Sequence, residues 1–328
     1  MAMDRRRLIL SAIFGLAPTP KGLAQTRTIK RIGVLWHATP EEEVIFADPI
    51  RKGLADFGYI EGKHYELIET YAAEQYERFA INAAKLVESR VDIIVAVTSP
   101  AAAAAQRATE TVPIVFLLVP NPVERGSARS LSRPGGNLTG QSTVSVDLSS
   151  KRIEYLQALV PNCRRVILFV NAKDAALSHS VANQTRAAGI LTNVTVDVIE
   201  IKDPEDLDGA LAAAARNDIR GAIFMQDPLF FNERKRIARL AIFHGVATMV
   251  ATSVMVKDGC LISYGANSAA QFRRVGAFVD KILKGDKPGD IPIEQPTRIE
   301  LVLNMKTAAA LGLDVPDAFI AQVDEIID

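Results

Sequence analysis

Cysteine is nearly missing, at 2 of 328 residues, too few for the small disulfide-stapled domains of secreted proteins. Net charge is missing too: 38 basic side chains face 38 acidic ones, without the Lys and Arg excess that nucleic-acid binders carry. Glycine (20) and proline (16) are too sparse for a collagen-like chain, and a hydrophobic share of 48% is too high for a disordered one. No apolar run approaches the roughly 20 residues that a membrane-spanning helix needs. Enzyme signatures are lacking as well. His37, His64, His179 and His244 form no H-E-x-x-H, and there is no C-x-x-C and no G-x-S-x-G. What remains is an ordinary folded chain whose length, at roughly 100–200 residues per domain, predicts two domains.

The N-terminus sets the expected compartment. Arg5, Arg6 and Arg7 form a positive start, residues 8–17 a short apolar run, and Gly22, Leu23 and Ala24 a small-x-small cleavage site. Residues 1–24 therefore read as an export signal cleaved near Ala24, giving a periplasmic mature chain that is not inserted in the membrane. The arginines fit Sec and Tat export equally. In an oxidising space Cys163 and Cys260 could pair, but they lie far apart beside apolar segments, which favours buried free thiols.

Strand and helix patterns alternate along the chain. KRIGVLW (30–36) is a short apolar run rich in branched residues, and 41–57 then shows helical spacing that ends at Gly58. Strands follow at 65–71, 91–97 and 114–119, with helices at 75–88 and 100–109 between them. Continuous apolar strands separated by helices predict an α/β protein with parallel sheets covered on both faces. Residues 132–150 (SRPGGNLTGQSTVSVDLSS) break the rhythm and read as a connection between lobes. The alternation then resumes: helix 151–159, strand 165–170, helix 174–188, strand 195–201, helix 204–215, strand 221–225, helix 230–243, strand 247–251. The tail is too short for a third domain and is expected to complete the two lobes, so that several crossovers form a hinge beside a cleft.

GGNLTGQS (135–142) approaches the phosphate-binding G-x-x-x-x-G-K-[ST] loop, but Gln141 stands where the lysine is required. Its glycines suit a turn instead. No G-x-G-x-x-G follows the first strand, so a dinucleotide site has no support. What recurs is a polar residue at the carboxyl end of an apolar strand: His37 after Trp36, Thr98 with Ser99, Asn121, Asn171 and Asp227. Ligands of open parallel sheets bind outside those strand ends, where helix N-termini offer free N–H groups. Ser99 before Pro100 suits a helix start, either as a cap alone or as a contact to a carboxylate. Trp36 fits core packing or an aromatic wall equally well.

These residues resemble a known family. GLADFGYIEGK, VDIIVAVTSPAAAAA, PIVF, NPVERG, SRPGGNLTG, DPLFF, LISYGAN, ILKGDKPGDIPIEQPT and ELVLNMKTAAALGL follow the export signal in the expected order. Together they resemble the extracytoplasmic substrate-binding proteins of ABC importers related to the tryptophan/tyrosine-binding group. The resemblance implies a type I periplasmic-binding-protein fold, two doubly wound parallel-sheet lobes joined by a hinge. Lobe 1 would comprise 29–143 with 263–293, and lobe 2 would comprise 144–262 with 294–328. It implies ligand contacts from Trp36, His37, Thr98, Ser99, Asn121, Ser142, Thr143, Asn171, Asp227 and Tyr264, with no catalysis, no metal and no cofactor. The implied partners are a small-molecule ligand and an ABC permease with its ATPase, and the implied state is a monomer.

Two departures from the family pattern stand out. Asn121 occupies a position that is usually Asp, and the turn before the helix start is shortened to Val97-Thr98-Ser99-Pro100. Asn offers an α-ammonium only dipolar bonds, so the expected ligand is a small carboxylate-bearing molecule, an aromatic acid or an amino acid, without a required amino group. Asp227 keeps an ammonium in play. The competing readings are an exported two-lobed α/β enzyme and a sensory binding protein of the same fold.

Overall fold

The computed structural model describes residues 29–143 and 148–328; the export-signal segment lies outside them. Lobe 1 is built on β1 (Lys30–Trp36), β2 (Tyr65–Tyr71), β3 (Ile93–Val97), β4 (Ile114–Val119) and β5 (Leu138–Ser142), in the order β2-β1-β3-β4-β5 with all pairs parallel. Every residue of β3 is buried, as a strand covered on both faces must be. Three helices connect these strands: α1 (Pro40–Ala55), α2 (Tyr76–Glu88) and α3 (Ser99–Ala108). At the start of α1 the Glu42 carboxylate accepts the Thr39 amide at 3.3 Å, with Pro40 in the first turn. Three acids, Glu41, Glu42 and Glu43, favour that helix end electrostatically.

The second sheet has seven strands. After α4 (Ser149–Leu159) come β6 (Arg165–Asn171), α5 (Ala175–Thr192), β7 (Thr195–Ile201), α6 (Asp206–Arg216) and β8 (Gly221–Phe224). The chain continues through α7 (Pro228–Asn232), α8 (Arg234–His244), β9 (Ala247–Val250), α9 (Ser253–Lys257) and β10 (Ile262–Ala266). It then runs through α10 (Ser268–Leu283), a 3-10 turn (Pro288–Asp290), β11 (Ile299–Asn304), α11 (Met305–Ala310), α12 (Asp317–Ile320) and β12 (Glu325–Ile327). The strand order is β12-β11-β10-β9-β8-β6-β7. One pair departs from the parallel expectation, since β10 and β11 run antiparallel. Among the described residues no helix is long and apolar enough to cross a membrane.

Two lobe boundaries differ from the sequence reading. β10 bonds to β9 and β11, so the return to lobe 1 lies at Asn267 rather than at 263. From there α10 packs along α1, where Gly53 and Gly276 let the two backbones touch. Glu294, expected in lobe 2, still bonds β5 through Glu294 N–H to Gly140 O (3.0 Å) and Ser142 N–H to Glu294 O (2.9 Å). The last crossing therefore runs through 295–298.

The supposed connection 132–150 also contains β5, whose LTGQS sequence carries no apolar signal although every residue is buried. Thr139 fits because its hydroxyl donates to the Ile291 carbonyl at 2.8 Å. Gly140 is required there, since a Cβ would fall 2.1 Å from the Phe116 carbonyl oxygen. The helix expected at 230–243 is two, divided at Glu233. Cys163 and Cys260 are both buried free thiols.

Candidate functional site

Each sheet reverses its strand order once, β1 beside β3 in lobe 1 and β6 beside β8 in lobe 2. Ligands of open α/β sheets bind at such reversals, outside the carboxyl ends of the strands. The two reversals face each other, and the cavity between them holds about 130 Å³. That is the order of a cavity that takes up one benzene ring, about 150 Å³. The lobes meet around it. Arg125 of lobe 1 pairs with Asp174 of lobe 2 at 2.9 Å, and the rings of Phe46 and Phe231 approach to 5.7 Å across the gap.

Lobe 1 contributes His37, Thr98 and Ser99 to the cavity lining. His37 follows β1, packs its ring 5.5 Å from that of Phe79, and is buried with Nδ1 unpartnered among the described residues. Burial pulls its pKa down to about 4, so the imidazole is neutral at physiological pH. Thr98 has φ of +82° and a buried hydroxyl without a partner among the described residues. Such a conformation in a β-branched residue is strained and concentrates at functional sites. Ser99 opens α3, beside amides that no turn of the helix satisfies.

Lobe 2 contributes Asp227, the N-cap of α7. Its Oδ1 accepts from Leu229 N–H and from Asn171 Nδ2, both at 2.9 Å. Desolvation raises its pKa, opposed by those two bonds. Thr143 also lines the cavity.

The other predicted residues lie elsewhere. Trp36 is wholly buried, its indole N–H donating to Glu69 at 3.2 Å and its ring 6.0 Å from that of Phe272. Asn171 supports Asp227 from behind. Asn121 and Ser142 border a neighbouring hollow with Gln295, so the Asn-for-Asp departure says nothing about an amine in the main cavity. Tyr264 packs 5.1 Å from Tyr155, and its carbonyl accepts from Arg152 Nε at 2.8 Å; it does not reach the cavity.

Several lining residues carried no signal in the sequence. Phe46 and Phe272 stack at 4.4 Å and form an aromatic wall with Phe231. Glu43, Asp174, Met225, Asn232 and Thr252 also line the cavity. Asp174 could have been found, because it caps α5 by accepting the Leu177 amide (3.1 Å) just past the end of β6. The charge balance is lopsided: three carboxylates, Glu43, Asp174 and Asp227, line the cavity among the described residues, with no Lys or Arg.

The sequence matches the family described as ABC transporter substrate binding protein over residues 43–327. It is 25% identical over 265 residues to the Tyrosine-binding protein of Clostridioides difficile (strain R20291), covering 80% of this chain and 75% of that one. The fold is similar to an ABC domain from Streptococcus pneumonia in complex with L-Trp. That likeness has a TM-score of 0.83 at 20% identity and covers 92% of this chain and all of the other (100%). A ligand-free, open substrate binding protein with adhesive properties from Clostridium difficile matches with a TM-score of 0.69 at 22% identity, over 91% of this chain and 99% of that one. At these identities the solved structures establish the type I periplasmic-binding-protein fold.

Proposed function

The chain belongs to the ABC transporter substrate-binding protein family, and from that premise we propose that it captures a small amino acid with an aromatic or comparable apolar side chain. The observation that carries the ligand class is the charge of the cavity: three carboxylates and no Lys or Arg among its described lining residues. Arg125 already pairs with Asp174, which leaves Glu43 and Asp227 without a cationic partner among the described residues; an ammonium balances them, whereas a ligand that carries only a carboxylate does not. A ligand carboxylate has a place at the start of α3, where the Thr98 hydroxyl has no partner among the described residues and Ser99 begins the helix. The wall of Phe46, Phe231 and Phe272 accepts the side chain, and the volume limits it to about one ring.

In this reading the protein is exported, and closure of its lobes around the ligand is its only work, with no chemical step. Closure is favoured by the ligand because the closed state alone offers contacts from both lobes. The closed form then delivers the ligand to a permease driven by an ATPase. The kinship to a Tyrosine-binding protein and the likeness to a Trp-bound domain support this ligand class.

The test is calorimetry on the mature chain, unfolded and refolded to strip bound ligand, with phenylalanine, tyrosine, tryptophan, 3-phenylpropionate and 3,4-dihydroxybenzoate. Saturable binding of an amino acid, one per chain and without product, is the expected result. Binding of the acids alone refutes the ligand class.

A further inference from the structure

Glu43 is the most isolated charge bordering the cavity. It lies in the first turn of α1 and is 5% exposed. Its Oε1 accepts the amides of His37 and Ala38 at 3.2 and 2.9 Å, and among the described residues it forms no ion pair. Among the described residues no ionisable group pairs with it. Glu42 sits beside it on α1, Tyr71 faces it from β2, and His37 at the end of β1 is neutral. The one cation acting on it, Arg234 of α8, is bonded to Asp258 at 2.6 Å and to the Phe231 carbonyl at 3.0 Å.

We propose that Glu43 makes the closed cleft demand a cation in its ligand, an inference that rests on the amino-acid reading above and deepens it. The two amides and the helix end offset only part of the cost of burying this carboxylate; the remainder is met by taking a proton or by receiving an ammonium. A ligand that carries an amine supplies the second. A ligand without one forces the cleft to close over a protonated Glu43.

The consequence is a pH-dependent selectivity whose sign follows from the two states. In this closed form burial pushes the carboxyl up from 4.5 to about 7; separation of the lobes would admit water to it and return it towards its ordinary range. Closing over an amine-free ligand is therefore unhindered by Glu43 below about 4.5, grows harder as pH rises towards 7, and is uniformly hindered above. Closing over an ammonium escapes that hindrance. Preference for the amine should thus climb with pH and level off above neutrality.

The experiment measures the affinities of phenylalanine and 3-phenylpropionate from about pH 5.5 to 8.5 in the wild-type chain, Glu43→Gln and Asp227→Asn. The expected result is a ratio favouring phenylalanine that rises about tenfold or more across the range in the wild type, from a shift of one pH unit or more. The rise should persist in Asp227→Asn and vanish in Glu43→Gln, which keeps an acceptor for the two amides. A merely structural role for Glu43 would weaken both ligands alike and leave the slope intact. A flat wild-type ratio overturns the inference without any variant, as does a rise that survives Glu43→Gln. In either case phenylalanine binding itself leaves the amino-acid reading standing. Failure of phenylalanine to bind the wild type while 3-phenylpropionate binds overturns both.

Discussion

Replacing Gly276 with alanine separates packing from helix propensity at the joint that ties α10 to lobe 1. In isolation the change favours the helix by about 1 kcal/mol, because alanine loses less backbone freedom than glycine. The structure predicts the opposite sign. A Cβ at Gly276 would lie 2.0 Å from the Gly53 carbonyl oxygen, 2.2 Å from its carbon and 2.8 Å from the Leu54 nitrogen. All three are backbone atoms of α1, so no side chain can swing aside. The contact is reciprocal, since a Cβ at Gly53 would meet the Arg273 carbonyl oxygen at 1.9 Å. The helices must separate by more than an ångström, and the aromatic wall formed by Phe46 on α1 and Phe272 on α10 separates with them. Overpacking of this kind costs about 1–3 kcal/mol, more where backbone must move, and it outweighs the propensity gain. Gly209→Ala is the matched control: it lies in α6, is exposed, and its Cβ would meet nothing within 4 Å. Thermal and urea unfolding should show Gly209→Ala stabilised by up to about 1 kcal/mol, roughly 2–4 °C in a lobe-sized unit. Gly276→Ala should be destabilised by at least as much and should bind ligand more weakly. Stabilisation of Gly276→Ala to the same extent as Gly209→Ala would refute the close approach of the two helices.

Arg125→Ala removes an ion pair that exists only while the lobes are closed, so ligand affinity should fall while the unfolding midpoint of the empty chain stays put. Both partners are 28% exposed, so about 0.2–1 kcal/mol, or up to about fivefold, is expected, and raising salt should reduce the wild type to the level of the variant. Burial pushes the thiols of Cys163 and Cys260 up to about 11 and about 12. At pH 8 neither should react with a thiol reagent in the native state, and both should react on unfolding; rapid native labelling would contradict the burial.

The repeating strand and helix rhythm was readable because strands covered on both faces must be apolar along their whole length. KRIGVLW and IVFLLV become β1 and β4 with no change of boundary, and VDIIVAV becomes β3 less its first two residues. β5 escaped notice for the converse reason. It is buried through hydrogen bonds of its polar side chains, and hydropathy does not register a satisfied threonine. The expected lobe boundary at 263 cuts through β10, because a crossing can fall on either side of a strand and only the bonding of β10 to β9 and β11 decides which.

The site divides along a similar line. Of the polar residues after strands that flank a reversal of order, His37, Thr98 and Asp227 border the cavity, while Asn171 at the end of β6 stands behind Asp227. Asn121 follows β4, one strand further from the reversal, and falls into the neighbouring hollow. Tyr264 belongs to β10, two strands away from β8, and packs into its own lobe. Strand order is a tertiary property, so the same local pattern gave a lining residue in one place and a bystander in another. Helix residues were harder still. Glu41, Glu42 and Glu43 form one acidic first turn, a pattern that the helix dipole explains for all three, yet only Glu43 is buried. The turn of α1 that points one of three equivalent acids into the cleft is set by the apolar stripe of Phe46, Ala47, Ile50 and Leu54 against the sheet and α10. A carboxylate placed by that stripe is costly to bury and cannot be moved without rotating the helix, which is the physical ground for giving it a ligand to neutralise.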